Sequence, residues 1–207
     1  MSPAEPSTKR PGLSPVTAVI LAGGLGRRMG NVDKGLTLLE GRPLVAWVLQ
    51  RIAPQVEEVL INANRNSEKY SSFGYRVIAD RIPGFAGPLA GMHSGLSECK
   101  HELMIAVPCD TPFLPDDLVA RLAAPLNDEE LDLAVARTGT QSHPVICLTR
   151  KRVLPHLTAY LEGGGRKVDA WYASLRIAQV AFDDRPQDFR NINTSDELRA
   201  LQRSSRT

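Results

Sequence analysis

Between residues 21 and 34 the chain gathers groups suited to holding a polyphosphate. Leu21-Ala22-Gly23-Gly24-Leu25-Gly26-Arg27-Arg28-Met29-Gly30 is followed by Asp33-Lys34-Gly35. The stretch leaves an apolar run, residues 16–21, that reads as a buried strand. Glycines at such a turn let backbone N–H groups approach a phosphate closely. Arg27, Arg28 and Lys34 add the positive charge that a triphosphate requires. A tight strand-to-helix turn with surface arginines would use the same glycines, so the compact combination carries the signal. No Gly-Lys-Ser/Thr follows at Walker-loop spacing, and Met29 stands at the third glycine position of a dinucleotide fingerprint.

A second point of chemistry is Asp110, inside Pro108-Cys109-Asp110-Thr111-Pro112. It follows the apolar run 102–107 on a turn stiffened by two prolines. Magnesium takes one or two carboxylates and completes its shell with phosphate oxygens and water. Asp110 is the expected metal ligand, with a turn or capping aspartate as the plainer account. Lys34 would reach the phosphates as a point charge, or stand as a solvated surface lysine. Asn62 and Asp80 fall at strand ends, where they serve a ligand or simply form turns. Asn191 and Asn193 are alternate residues that share a face if the segment is extended; a polar turn is the rival. Arg166 and Lys167 follow Gly163 to Gly165 and can hold a phosphate or begin a helix. His143 is read as structural, and His93, His101 and His156 show no metal-ligand spacing.

The elements that would position these groups alternate along the chain. Apolar, β-rich runs at 16–22, 57–63, 75–79, 102–107, 132–137, 144–149 and 176–182 read as strands. Helical spacing marks 43–53, 89–99, 115–124, 151–161 and 167–174. A closing helix at 194–202 has Thr194 as cap and Glu197 three residues on. This alternation predicts an α/β fold, three-layered, with a mostly parallel sheet covered on both faces. In such sheets ligands lie at the carboxyl ends of strands, which gathers the glycine turn, Asn62, Asp80 and Asp110 along one edge.

With 207 residues, of which 43% are hydrophobic and 23% charged, the chain suits one domain with its own core. Residues 1–14 read as a flexible tail, 15–203 as the domain and 204–207 as a frayed end. A net charge of +2 offers no footprint for nucleic acid. No apolar run reaches the length of a membrane span, and no secretory signal is evident. Cys99, Cys109 and Cys147 form no CxxC pair, which disfavours a disulfide framework or zinc site and fits the cytoplasm.

The glycine segment with Asp33-Lys34 resembles the signature of the molybdenum cofactor guanylyltransferases. So do Asn62-Ala63-Asn64-Arg65, Gly87-Pro88-Leu89-Ala90-Gly91, Pro108-Cys109-Asp110-Thr111-Pro112, His143-Pro144 and Asn191-Ile192-Asn193-Thr194, in family order. The resemblance implies a Rossmann-like fold related to the sugar-nucleotide transferases. It implies transfer of GMP from MgGTP to the terminal phosphate of molybdopterin, with pyrophosphate released, and transient contact with delivery proteins. By the same resemblance, Lys34, Asp110 and Arg28 would be catalytic. Leu21, Ala22, Gly23, Gly24, Lys34, Asn62, Asp80 and Asp110 would hold the nucleotide, with Mg²⁺ on Asp110. Arg28, Gly87, Gly91, Lys167, Asn191 and Asn193 would hold the acceptor. Lys167 stands where the family pattern admits arginine, giving charge without a bidentate fork.

Three other readings use the same residues. Cytidylyl relatives act on the same acceptor, but they usually read Leu-Ala-Ala-Gly where this chain has Leu21-Ala22-Gly23-Gly24. A non-catalytic molybdopterin delivery module would not need the full set of glycine turn, Lys34 and Asp110. A sugar-1-phosphate nucleotidyltransferase would need a sugar pocket for which the chain has no insertion.

Overall fold

The strand β1 (Val16–Leu21) runs through the middle of the molecule, and its β-branched sequence suits a position buried on both faces. The computed structural model describes residues 14–23, 33–82 and 87–192. The readings for Gly24, Arg28, Asn193, the helix 194–202 and most of both termini lie outside them. After a 3₁₀ turn at Lys34–Leu36, a two-stranded ribbon forms from β2 (Leu38–Leu39) and β3 (Arg42–Pro43). Then come α1 (Leu44–Ile52), β4 (Glu58–Asn62), α2 (Ser67–Ser71), β5 (Arg76–Ile78), α3 (Pro88–Glu98) and β6 (Leu103–Pro108). The chain continues through α4 (Leu118–Ala123), β7 (Leu133–Thr138), β8 (Gln141–Arg150), α5 (Leu154–Glu162), α6 (Val168–Tyr172) and β9 (Ile177–Ala181).

Among the described residues the main sheet has seven strands in the order β5-β4-β1-β6-β8-β7-β9. β1 pairs in parallel with β4 and β6, and β4 with β5. β8 runs antiparallel to both β6 and β7, whereas β7 and β9 are parallel. The mostly parallel expectation therefore holds, with one reversed strand inside the sheet.

Helices cover both faces. Ala18 and Ile20 of β1 share one core with Val45, Val48 and Ile52 of α1 and with Leu118 and Leu122 of α4. Val19 points the other way, toward Leu89, Met92 and Leu96 of α3 and Leu157 and Leu161 of α5. The alternation follows from the two-residue period of a strand. Each fully buried Val, Leu or Ile stabilises the fold by about 1.5–3 kcal/mol. All three cysteines are buried free thiols.

Boundary differences have local causes. Residue 43 belongs to the ribbon β2–β3, so α1 starts at Leu44. The helix expected from 115 begins at Leu118, because Pro115 spends its carbonyl on a tighter turn with the Leu118 N–H. The helix expected over 151–161 opens as a 3₁₀ turn, Lys151–Val153, before α5.

Candidate active site

The carboxyl ends of β1, β4, β5 and β6 converge on a cleft of about 450 Å³. Leu21, Gly23, Asn62, Asp80, Gly87, Asp110 and Asn191 all line it. Parallel pairing brings them together: β1 aligns Leu21 with Asn62 on one side and with Pro108 on the other. Backbone bonds continue past the strands, from Ala22 N to Asn62 O at 2.8 Å and from Cys109 N to Leu21 O at 3.2 Å.

Asp110 is buried, and its Oδ2 lies 3.2 Å from Lys34 Nζ. Lys34 enters from the 3₁₀ turn after the glycine segment, and that turn is braced from beneath. Asp33 Oδ1 accepts from the Tyr70 hydroxyl and Asp33 Oδ2 from Asn66 Nδ2 at 2.9 Å. Tyr70 is fully buried in α2, and burial pushes its phenol far above the usual range. The hydroxyl therefore remains a donor to Asp33. Gly35 packs against this brace; a Cβ there would meet the Tyr70 oxygen at 2.4 Å. The Cys109 thiol, buried beside Asp110, is likewise raised, chiefly by desolvation, and stays protonated.

A second network fixes Asp80. Asn62 Nδ2 donates to its Oδ1 at 2.9 Å, and Asn64 Nδ2 to its Oδ2 at 2.7 Å. Asn64 Oδ1 in turn accepts from the Asp80 N–H at 2.8 Å. Both carboxylate oxygens are oriented before any ligand arrives. Gly91 makes room for this network: a Cβ there would sit 2.4 Å from Asn62 Oδ1 and 2.7 Å from Leu21. Gly91 is thus buried in α3 beneath Asn62 instead of lining the cleft.

Asn191 reaches the cleft because its segment is tied to the end of β6. Ile192 N donates to Asp110 O at 2.9 Å, and Thr111 Oγ1 to Asn191 Oδ1 at 2.6 Å. Lys167 precedes α6 and is not among the residues lining the cleft. Arg166 spends its guanidinium on the carbonyls of Leu161 and Gly165 at the end of α5, where a cation suits the helix terminus.

The sequence places Asn64 at a strand end beside Asn62 and Thr111 beside Asp110, without giving either a role; it does not single out Tyr70 or the cleft-lining position of His143. Tyr70 left no signal, because α2 has only five residues and its partner Asp33 lies 37 positions away.

Among the described residues no cluster of three or more His, Cys, Asp or Glu side chains can hold a metal. The donor chemistry is that of one hard carboxylate, Asp110, at a strand end. It fits a magnesium ion whose remaining ligands come from phosphates and water.

The chain carries a MobA-like NTP transferase domain over residues 18–177. It is 52% identical over 190 residues to the molybdenum cofactor guanylyltransferase of Cupriavidus taiwanensis, covering 89% of this chain and 95% of that protein. The molybdenum cofactor guanylyltransferase of Shewanella halifaxensis is 47% identical over 186 residues, covering 90% of this chain and 93% of that protein. Molybdopterin-guanine dinucleotide biosynthesis protein A of Archaeoglobus fulgidus has the same fold. Its TM-score is 0.76 at 22% identity, over 92% of this chain and all of that one (100%). A 4-diphosphocytidyl-2C-methyl-D-erythritol synthase of Anaerococcus prevotii shares it too, with a TM-score of 0.71 at 11% identity over 94% and 99% of the two chains. The chain belongs to the molybdenum cofactor guanylyltransferases, a nucleotidyltransferase family built on this domain.

Proposed function

We propose that the protein transfers GMP from MgGTP to the terminal phosphate of molybdopterin, releasing pyrophosphate and forming the guanine dinucleotide cofactor. The observation that carries this reading is the Lys34–Asp110 pair at the meeting of β1 and β6, in the cleft where the strand ends converge. The nearly full-length relatives named for guanylyl transfer support it against the cytidylyl and delivery-module readings.

The attacking group would be a phosphate oxygen, already anionic near neutral pH. No side chain has to remove a proton. The obstacle is repulsion between two anions, so catalysis rests on positioning and positive charge. Lys34 supplies a cation on a turn that Asn66 and Tyr70 brace through Asp33. Backbone N–H groups of the turn from Leu21 to Gly24 would meet the phosphates, with Arg28 as a further cation. Asp80, held by Asn62 and Asn64, would accept from the nucleoside. Asp110 would hold Mg²⁺, which when bound neutralises phosphate charge. Gly87, Lys167, Asn191 and Asn193 complete the acceptor set inferred from the sequence; Gly91, which the resemblance adds to that set, packs beneath Asn62 and so serves the nucleoside side. Reaction in the cytoplasm and onward transfer to delivery proteins belong to the same proposal.

Incubation with MgGTP and molybdopterin tests it directly, with the product identified by mass and pyrophosphate measured. A guanine dinucleotide and stoichiometric pyrophosphate are expected. Preference for CTP in competition overturns the choice of base. Acceptor binding without magnesium-dependent pyrophosphate release returns the protein to the delivery reading.

A further inference from the structure

The turn that carries Lys34 is short and takes its support from another part of the chain. It is a 3₁₀ turn, Lys34–Leu36, with Asp33 at its N-cap. An aspartate there ordinarily accepts from a backbone N–H of the first turn, yet the Asp33 side chain makes no such bond. Its carbonyl serves the turn instead, accepting from Leu36 N at 3.1 Å and from Thr37 Oγ1 at 3.3 Å.

The carboxylate is spent on α2 and the residue before it. The Tyr70 hydroxyl donates to Oδ1 and Asn66 Nδ2 to Oδ2. These two donors are fixed to each other, because Tyr70 N donates to Asn66 O at 3.1 Å. Asn66 has φ 55° and ψ 30°, a left-handed backbone that asparagine tolerates better than most residues.

Burial separates the work of the Tyr70 ring from that of its hydroxyl. The ring is fully buried in the core that β1 and α1 share, a place phenylalanine would fill as well. A buried phenol needs a partner for its O–H, and the partner here is the carboxylate next to Lys34. The oxygen also touches the turn itself. A Cβ on Gly35 would collide with it and would sit 3.3 Å from Cys109 Sγ. Gly35 is thus pressed against both the phenol and the residue before Asp110, whose carboxylate Lys34 meets at 3.2 Å.

The same stretch of chain serves the nucleoside side. Asn62, Asn64 and Asn66 each give an amide to a carboxylate, the first two to Asp80 and the third to Asp33. Residues 62–70 therefore support both carboxylates from one segment.

We infer that Tyr70 and Asn66 are positioning residues for the phosphate-binding lysine, acting through Asp33 to fix the turn from which Lys34 reaches Asp110. This rests on the proposed guanylyl transfer and extends it to two residues that do not line the cleft. A charge already in place needs no rearrangement during reaction, and a misplacement of about 1 Å costs on the order of 10²-fold in rate.

The test is a pair of double-mutant cycles with Lys34→Ala. Tyr70→Phe keeps the ring and removes the donor. Asn66→Gly keeps the left-handed backbone and removes the amide. Each is made alone and together with Lys34→Ala in the full chain. Each cycle is read in steady-state transfer and in calorimetric titration with MgGTP, well below the unfolding transition of every variant. Alone, Tyr70→Phe is expected to lower kcat/KM about tenfold, mostly in kcat, and MgGTP affinity about threefold. Asn66→Gly, whose bond is exposed, is expected to lower kcat/KM about threefold. With Lys34 already removed, neither substitution adds a loss, because no charge is left to place. Losses that multiply in the Lys34→Ala background mean that Tyr70 and Asn66 only hold the fold, and they overturn the inference. Full activity and affinity in both single variants overturn it as well. Asn66 lies at the surface, so its cycle decides the matter if Tyr70→Phe does not fold. If the wild-type chain makes no dinucleotide, the transferase reading fails on its own, while the MgGTP cycle still decides the role of the brace.

Discussion

The two halves of the cleft are built by different means. On the side of β1, β4 and β5, parallel register sets polar side chains at successive strand ends, and side-chain bonds lock them. Asp80 is held by two amides, and Asp33 by a phenol and an amide. On the side of β8 the space comes from a strand leaving the ladder, and its wall joins the apolar Pro144, Val145 and Ile146 to the uncharged Gln141, Ser142 and His143. The first arrangement suits groups whose charge must meet donors and cations in a fixed geometry, because preorganised polar groups need no rearrangement during reaction. The second suits shape and stacking, where a bulge creates room that a regular sheet cannot. Asp110 and Lys34 lie at the junction.

The strongest way to break this division is at the junction itself. Lys34→Ala is expected to lower kcat/KM by about 10²–10³-fold, as loss of one preorganised charge does. Asp110→Ala is expected to abolish transfer while thermal unfolding still shows a cooperative fold. Steady-state kinetics with both substrates varied would show the loss in kcat, not confined to one KM. Near-normal turnover in either variant removes that residue from the mechanism.

A smaller effect tests the locked half alone. Gly91→Ala places a methyl group 2.4 Å from Asn62 Oδ1. The Asn62 amide then has to move, and with it the bond to Asp80. Overpacking of this kind costs about 1–3 kcal/mol of stability. Denaturant unfolding should show that loss, and calorimetry should show weaker MgGTP binding with the affinity for a pterin phosphate retained. Equal loss for both ligands would mean that the halves are not independent.

Legibility in the sequence follows the same division. Strand-end residues of the parallel half were readable, because apolar runs ending in Asn62, Asp80 and Asp110 place those groups on one edge whatever the strand order. What those residues bond to was not readable. Asn62 and Asp80 are 18 positions apart, and they meet only through the register of β4 on β5. The β8 half was hidden because its run resembles any other strand. Gly139, between β7 and β8 with φ 55°, is a hairpin signal that marks β7 and β8 as an antiparallel pair. The bulge has no comparable signature beyond Pro144. Arg166 was read as a phosphate ligand or a helix start, yet it binds the carbonyls that end α5. The geometry of Gly163 to Gly165 decides that, not the charge pattern.

The smallest expected effect concerns pH, and it puts one histidine on each side. His93 lies in α3 beneath the locked half; its Nε2 is 3.0 Å from Thr158 Oγ1, and its Nδ1 is buried without a partner. His143 lies on the β8 wall of the cleft. Both imidazoles are held below the ordinary value of 6.5, chiefly by burial, with Arg81 adding to the effect at His93. The folded state therefore disfavours the protonated form, and below 6.5 the unfolded chain binds more protons. Stability is present above that value and is lost as pH falls through the folded values. Carboxylates with ordinary values of 4.5 and 3.8 titrate lower, so the histidines govern the first part of the decline. Melting temperature should fall between about pH 7.5 and 5.5 in the wild-type chain, and fall less in His93→Gln and in His143→Asn. Because His93 would carry a buried, unbonded proton on Nδ1, its replacement should flatten the curve more than that of His143. The reverse order would make the β8 wall the drier of the two places and would weaken the case for an opening there.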